Sequence, residues 1–370
     1  MKVGIFADIW TSCTGFSVVC QNLARQLGYH KDLEVYYFGR FGCEKDYVKE
    51  PENIRNFLGV RCEGGVWKRE TCVRIIKEFN LDLVFTEDDW FSIDGIQEAT
   101  NFWGKPFFWL SPIDSLPVKL EGLHRMRKAS CIFVPSRGGQ TYLSGENIKS
   151  TYLPHGVSRG FRPMKVDNKP DRFTFVWIGR DSKRKCLGRT IMAFENLINN
   201  GYKCYLLVRA DWTVPQAIKT HNYIVRKNLP VIAEQMEDVS HEEIVKTYNR
   251  GDCYICSAKA GGFEMGVIEA QACGLPVLVT DHTFMNEQVV DGKNGFLVYR
   301  DKLKPYVRSD YGTIWGNISV KDLTDKMMFY VDHPEIAKSH GNFGMSFVNS
   351  YYQWKTVGDI LYGEILKCKK

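Results

Sequence analysis

Strand-like and helix-like stretches alternate along almost the whole of this 370-residue chain, which predicts an α/β protein built of two doubly wound domains. The first set of strand candidates is Val3 to Ala7, Leu33 to Phe38, Leu83 to Thr86, Phe107 to Leu110, Cys131 to Pro135 and Thr151 to Leu153. The second is Phe173 to Ile178, Tyr205 to Arg209, Val231 to Ala233, Cys253 to Cys256, Val277 to Val279 and Gly295 to Val298. Length points the same way, because a chain of this size exceeds one ordinary core and suits two domains of roughly 150 to 200 residues. The polar stretch Lys165 to Arg172 between the two sets has the composition of a linker and puts the boundary near Met164. The expected division is therefore 1–164, 165–345 and a terminal segment, 346–370. From about Leu323 the pattern is helical, and Phe347, Tyr351, Tyr352 and Trp354 form an aromatic stripe suited to packing.

Composition narrows the function classes. No run approaches the roughly 20 apolar residues that span a bilayer, and the N-terminus enters a strand directly at Lys2 to Asp8, so a cytoplasmic location is expected. The 12 cysteines are scattered, and the closest pair, Cys253 and Cys256, lies inside a strand candidate. That pattern predicts reduced thiols and no metal site. A formal charge of +6 gives modest support to anionic ligands, either nucleotides or a phospholipid surface. The basic clusters Lys183-Arg184-Lys185 and Lys367 to Lys370 lack interleaved aromatics, so nucleic acid is not an expected partner.

The most informative stretch is Ser257 to Val277, where glycines and acids lie between a strand and a helix. A strand end beside a helix start is where α/β proteins place ligands. Gly262 and Gly266 let backbone approach a ligand, and a first turn at Met265 to Val267 offers unpaired amides to an anion such as a diphosphate. Glu269 lies about one turn deeper, where a carboxylate accepts hydrogen bonds from two ribose hydroxyls. A tight turn with a surface glutamate fits the same residues. In Trp177 to Leu187, Arg180 and Lys185 flank a turn after a strand and suit one diphosphate, a planar fork beside a point charge. A solvated basic turn is the alternative. Asp114 ends the apolar strand Phe107 to Leu110 in a proline-stiffened loop, as a ligand of sugar hydroxyls or acceptor, a stabiliser of positive charge at an anomeric carbon, or a turn aspartate. Gly15 sits in the loop Ile9 to Leu27 that opens a helix at about Ser17, without the three-glycine dinucleotide spacing.

These motifs together resemble the GT-B glycosyltransferases, in particular retaining family 4 (glycosyl transferases group 1), over nearly the whole chain. Gly262-Phe263 and Glu269-Ala270 fall on the family's Glu-Gly-Phe-Gly pattern and its following helix. Gly179-Arg180 and Lys185 match its Gly-Arg and Lys-Gly, with Cys186 in place of the second glycine. His155, Gly156, Val157, Phe161 and Pro163 match a further element, as do Glu287 to Val298 and the Trp354 context. Two departures stand out. Gly261 occupies the position, eight before Glu269, of the family's first Glu, and Glu264 appears where glycine is usual.

The resemblance implies two Rossmann-like domains facing across a cleft, with the terminal helix crossing back to the first. It implies a metal-independent, retaining transferase of hexosyltransferase type, needing no cofactor. A UDP- or GDP-linked donor would bind the second domain, and a glycan, lipid or protein acceptor the first, with membrane-surface contact if the acceptor is a lipid. Asp114, Arg180, Lys185 and Glu264 would be catalytic, Glu264 taking over from the missing Glu. Gly15, Gly179, Arg180, Lys185, Gly262, Phe263, Met265, Gly266, Val267 and Glu269 would hold the donor. Val231 to Asp238 would cup the base, Glu287 would touch the donor, and His155 and the acids of Thr86 to Trp90 would shape the cleft wall and acceptor side. Two other functions share the fold: a nucleotide-sugar 2-epimerase, which His155 could serve, and a degenerate sugar-nucleotide sensor or scaffold, which Gly261 suggests.

Overall fold

The computed structural model describes residues 1–10, 14–40, 54–60, 62, 65–236, 239–309 and 312–368. Thr11 to Cys13 of the first glycine-bearing loop, Glu237 and Asp238 of the base segment, and Lys369 and Lys370 of the terminal basic cluster lie outside the described residues. The chain divides into two compact units, one of Met1–Ile113, Val118–Gly156 and Gln353–Lys370, the other of Asp114–Pro117 and Val157–Tyr352.

The first unit is a seven-stranded parallel sheet of β1 (Lys2–Asp8), β2 (Glu34–Arg40), β3 (Ile54–Val60), β4 (Leu83–Glu87), β5 (Phe107–Leu110), β6 (Cys131–Val134) and β7 (Thr151–Tyr152), in the order β3-β2-β1-β4-β5-β6-β7. Among the described residues, five helices connect these strands: α1 (Gly15–Gly28), α2 (Arg69–Glu78), α3 (Asp94–Trp103), α4 (Leu120–Lys128) and α5 (Arg137–Gly145). Helices on both faces bury the central strands completely, which is why β4 reads as a continuous run with every residue buried. Thr14 starts α1 by accepting from the Ser17 amide at 3.3 Å.

The second unit repeats the plan with β8 (Thr174–Ile178), β9 (Tyr205–Ala210), β10 (Val231–Gln235), β11 (Cys253–Cys256), β12 (Val277–Thr280) and β13 (Gly295–Val298), in the order β10-β9-β8-β11-β12-β13. Its helices are α6 (Leu187–Asn199), α7 (Pro215–Arg226), α8 (His241–Asn249), α9 (Met265–Ala272), α10 (Val320–Asp332) and α11 (Pro334–Tyr351). An antiparallel hairpin, β14 (Tyr306–Arg308) and β15 (Ile314–Gly316), follows β13. The strand order reverses between β8 and β11, so the loops after these two strands are neighbours.

The terminal helix α12 (Trp354–Lys367) belongs to the first unit. It lies so close to α1 that a β-carbon on Gly358 would come within 2.3 Å of the Gln26 β-carbon. Tyr362 stacks on His30 and donates to Asp32 at 3.0 Å.

Several expectations need adjustment. Apart from the excursion of Asp114–Pro117 into the second unit, the first crossing falls at Gly156 rather than Met164, because Val157 and Phe161 are already part of the second unit's core. The second falls after Tyr352, whose ring is buried in that same core. Within the aromatic stripe, Tyr352 and Trp354 are buried and Phe347 packs on the core, but Tyr351 is 64% exposed, its ring 5.1 Å from that of Phe347. Strand β3 and the β14–β15 hairpin were not anticipated. No helix among the described residues is long and apolar enough to cross a membrane, and every described cysteine is a free thiol.

Candidate functional site

The site grows from the switch point of the second unit. After β8, Gly179 takes φ +155, a conformation open to glycine, and its amide donates to the Arg209 carbonyl at 3.1 Å. The basic turn then closes at Cys186, which has φ +59 and precedes α6. The loop after β11 is stitched to this turn. The Ser257 hydroxyl donates to the Lys185 carbonyl at 3.0 Å, and the Lys259 amide donates to the Arg184 carbonyl at 2.8 Å.

Charge concentrates where the two loops meet. Glu264 is buried at 6% exposure, with one carboxylate oxygen 3.0 Å from Arg184 Nη1 and the other hydrogen-bonded to Lys185 Nζ. Burial by itself would raise its pKa, but the Lys185 and Arg184 charges outweigh it and hold the carboxyl below its ordinary value. Arg184 Nη1 also donates to the Ala260 carbonyl at 2.6 Å and lies 4.0 Å from Asp114 Oδ2. Burial opposes the Arg184 charge, yet Asp114 and Glu264 raise its pKa further. Arg180 behaves differently. It is exposed and makes no hydrogen bond or ion pair among the described residues, so it is not drawn into the cluster with Lys185.

The glycine-rich loop is pinned at nearly every residue. Thr283, itself at φ +52, receives a hydrogen bond from the Gly261 amide at 3.2 Å. The Gly262 amide donates to Asp114 Oδ1 at 2.9 Å. Gln288 clamps Glu264 from both sides, accepting from its amide at 3.0 Å and donating to its carbonyl at 2.9 Å. A β-carbon on Gly261 would lie 2.7 Å from Glu264 Oε1, so the carboxylate fills the space that a side chain at 261 would need.

Three expectations about α9 change in detail. The absent side chain of Gly266 makes room for Tyr254 Oη, which a β-carbon would approach to 2.4 Å, so protein packing by itself asks for glycine here. Val267 does not offer a free amide, since its N–H donates to the Glu264 carbonyl at 3.1 Å; Met265 and Gly266 are the first-turn amides left. The Phe263 ring packs edge-on against Tyr352, 5.5 Å away, in the core.

Glu269 projects from the next turn of α9 and accepts from Tyr248 Oη at 3.0 Å. Desolvation pushes its pKa up to about 7, partly offset by that hydrogen bond and the Lys185 charge. The base segment is anchored by Arg209, which reaches Glu234, Thr247 at 2.8 Å and the Gln235 carbonyl at 3.0 Å. Glu287 lies in the short 3-10 turn Thr283–Gln288 beside the Gln288 clamp.

In the first unit, a β-carbon on Gly15 would meet nothing within 4 Å among the described residues. The acids after β4 have internal partners. Asp88 Oδ2 pairs with Arg40 at 2.8 Å and Glu87 Oε1 lies 2.9 Å from His155 Nε2. No three His, Cys, Asp or Glu side chains among the described residues are grouped to hold a metal ion.

Arg184, Gln288, Thr283 and Tyr248 complete the site without having been singled out. Arg184 was visible only as the middle of a basic run. Gln288, Thr283 and Tyr248 reach the loop from outside it; Gln288 sits in the Glu287 to Val298 element, where Glu287 is the residue the pattern marks, and no local pattern marks Thr283 or Tyr248.

Two parallel α/β units, the second with a charged loop pair at its switch point, define the class of fold, and comparison with known proteins says which. Residues 161–307 match the family described as glycosyl transferases group 1. A capsular polysaccharide biosynthesis glycosyltransferase of Staphylococcus aureus, CapM, is 28% identical over 176 residues, 44% of this chain and 45% of that protein. An uncharacterized glycosyltransferase of Methanocaldococcus jannaschii is 26% identical over 137 residues, 37% of this chain and 34% of that protein. The chain thus spans less than half the length of these curated relatives. Among solved structures, sucrose-phosphate synthase from Thermosynechococcus elongatus superposes with a TM-score of 0.76 at 16% identity, covering 99% of this chain and 98% of that one. Anabaena HepE in complex with UDP and glucose gives 0.74 at 13% identity, covering 99% and 100%. The fold is therefore that of the GT-B glycosyltransferases.

Proposed function

We propose that the protein is a retaining, metal-independent glycosyltransferase that moves a sugar from a nucleoside diphosphate sugar to a glycan, lipid or protein acceptor. The observation that carries the reading is the Arg184–Glu264–Lys185 cluster at the β8/β11 switch point, inside the region that matches glycosyl transferases group 1. Lys185, with the exposed Arg180, neutralises the diphosphate as it leaves, a task that asks for fixed positive charge and no divalent ion. The amides of Met265 and Gly266 add the helix terminus. Glu269 holds the ribose hydroxyls. Glu264, in place of an acid at Gly261, faces the sugar, and Asp114, tied to the Gly262 amide, supports the loop and the charge developing at the anomeric carbon.

For retention, the departing phosphate oxygen takes the acceptor hydroxyl proton on the same face from which that hydroxyl attacks. The C–O bond to phosphate breaks, a new C–O bond to the acceptor forms, and no protein nucleophile intervenes. UDP is the first base to test because HepE was solved with UDP and glucose; GDP is the second. The free thiols suit a reducing cytoplasm, with the membrane surface as the workplace if the acceptor is a lipid.

A thermal-shift panel of UDP-, GDP-, ADP- and TDP-sugars tests donor binding, since a ligand at 100 times its Kd adds about 2.7 kcal/mol to the native state. Product formation is then followed with an acceptor library, with and without a chelator, and turnover that survives the chelator is expected. Epimer formed from donor alone would identify a 2-epimerase. Binding without turnover would identify a sensor. The absence of a shift with every donor would end the nucleotide-sugar reading.

A further inference from the structure

We propose that Arg184 is a positioning residue which holds the charge of Glu264 so that Lys185 can be surrendered to a nucleoside diphosphate. The inference rests on the donor reading above and assigns a role to a residue outside it. Two acids and two cations meet here: Glu264 and Asp114, Arg184 and Lys185. Lys185 Nζ has Glu264 as its one side-chain hydrogen-bonding partner among the described residues and acts on Glu269 only through its charge, whereas Arg184 bonds both Glu264 and the Ala260 carbonyl and faces Asp114. Lysine is a point charge on a flexible stem and can turn to a new anion at little cost, while the guanidinium is fixed by its several contacts. A diphosphate arriving at Lys185 meets the Glu264 carboxylate beside it. With Arg184 in place that carboxylate stays neutralised after Lys185 turns away; without Arg184 a buried anion would be left unpaired, which is costly.

The geometry also explains why the arrangement needs Arg184. The carboxylate lies in the space beside Gly261, under Ala260 and Gly262, and the loop that creates this space is held by Arg184 at Ala260 and by Asp114 at Gly262. Arg184 thus links the acid, the loop and the Asp114–Pro117 segment at one point.

The test is calorimetric binding of UDP and GDP, without sugar, to wild-type protein, Arg184→Met, Glu264→Gln and the double variant. Arg184→Met should weaken the diphosphate about tenfold or more, the size of effect expected when a buried charged group loses its partner. Glu264→Gln should bind at least as tightly as wild type, and the double variant should return to within about threefold of Glu264→Gln, because no unpaired anion remains. If Arg184 merely supports the Ala260 carbonyl, the double variant will stay as weak as Arg184→Met, and the proposal is overturned. Should Arg184→Met not fold, Glu264→Gln decides alone: a loss of diphosphate affinity there contradicts a carboxylate that competes for Lys185. Wild-type protein that binds neither nucleotide would remove the donor reading and this inference together; wild-type binding with unchanged affinity in Arg184→Met removes only the inference.

Discussion

Gly261 and Glu264 share the space of a single side chain: a β-carbon on the glycine would lie 2.7 Å from the glutamate Oε1 and 3.3 Å from its Cγ. The acid missing from position 261 and the acid present at 264 are therefore two ends of one arrangement. A carboxylate is retained beside the basic turn, but it enters from the first residue before α9 and is held there by Arg184 and Lys185, with the Glu264 backbone clamped by Gln288.

That sharing predicts a strong coupling. Gly261→Ala should destabilise the protein by about 1 to 2 kcal/mol in urea, since overpacking a fixed neighbour forces it to move. In a Glu264→Ala background the same change should cost less than about 0.5 kcal/mol, because the obstructing carboxylate is gone. Equal costs in both backgrounds would mean that Glu264 yields freely.

Arg180 and Lys185 should separate activity from stability. Arg180→Ala is expected to lower turnover at least about 100-fold while leaving the unfolding free energy within about 0.5 kcal/mol of wild type, since its side chain is exposed. Lys185→Ala removes one of the two cations on a buried carboxylate, and should cost turnover and also about 1 to 3 kcal/mol of stability. Unchanged turnover in both variants would count against a diphosphate site at this turn.

The two glutamates flanking the start of α9 carry opposite pH signatures. Glu269 has its pKa raised from 4.5 to about 7, chiefly by desolvation, so its stabilising contribution is full below the unfolded value and is lost as pH rises to about 7. Wild-type stability relative to Glu269→Gln should fall by roughly 1 to 3 kcal/mol between pH 4.5 and pH 7. Glu264 has its pKa lowered by Lys185 and Arg184 against the pull of burial, so its contribution is present above the unfolded value and disappears as pH falls through the folded one. Relative to Glu264→Gln, wild type should therefore lose stability on acidification. Urea titrations of the three proteins across this range give both signs directly.

Cys186 predicts a tolerant substitution at a strained position. Its φ of +59 is the left-handed region, where a non-glycine residue costs roughly 1 to 2 kcal/mol. Glycine removes that strain but gives up about 0.5 to 1 kcal/mol of chain entropy, so Cys186→Gly should be neutral to about 1 kcal/mol stabilising, with turnover retained. A β-branched Cys186→Val should be clearly destabilising, as read from the urea midpoint.

Legibility in the sequence followed burial. Strands such as Leu83–Glu87 and Cys253–Cys256 are buried along their whole length, and Leu83 to Phe85 and Cys253 to Cys256 are written as unbroken apolar runs. Strand β3, Ile54–Val60, lies at the sheet edge with a register shift against β2, and its mixed composition gives no period to read. The hairpin strands β14 and β15 are three residues each, too short to carry a pattern.

At the site, the sequence by itself determined the place and the chemical types. A glycine-rich strand-to-helix turn with acids, and a basic turn after the first strand of the second unit, are local features set by backbone conformation and spacing. Only the tertiary structure decided which charge meets which. Glu264 is partnered from residues 184 and 185, and its backbone from residue 288; Glu269 is partnered from residue 248, and Gly262 from residue 114. Each of these is a contact over a long sequence separation; the pairing of β11 with β8 and β12 brings the loops bearing residues 184, 185 and 288 beside the glycine-rich turn, while Tyr248 comes from α8 and Asp114 from the Asp114–Pro117 segment. Burial pushes both carboxyls upward; the Lys185 and Arg184 cations outweigh it at Glu264, which holds its charge, whereas Tyr248 and the Lys185 charge only partly offset it at Glu269, which gives its charge up near neutral pH.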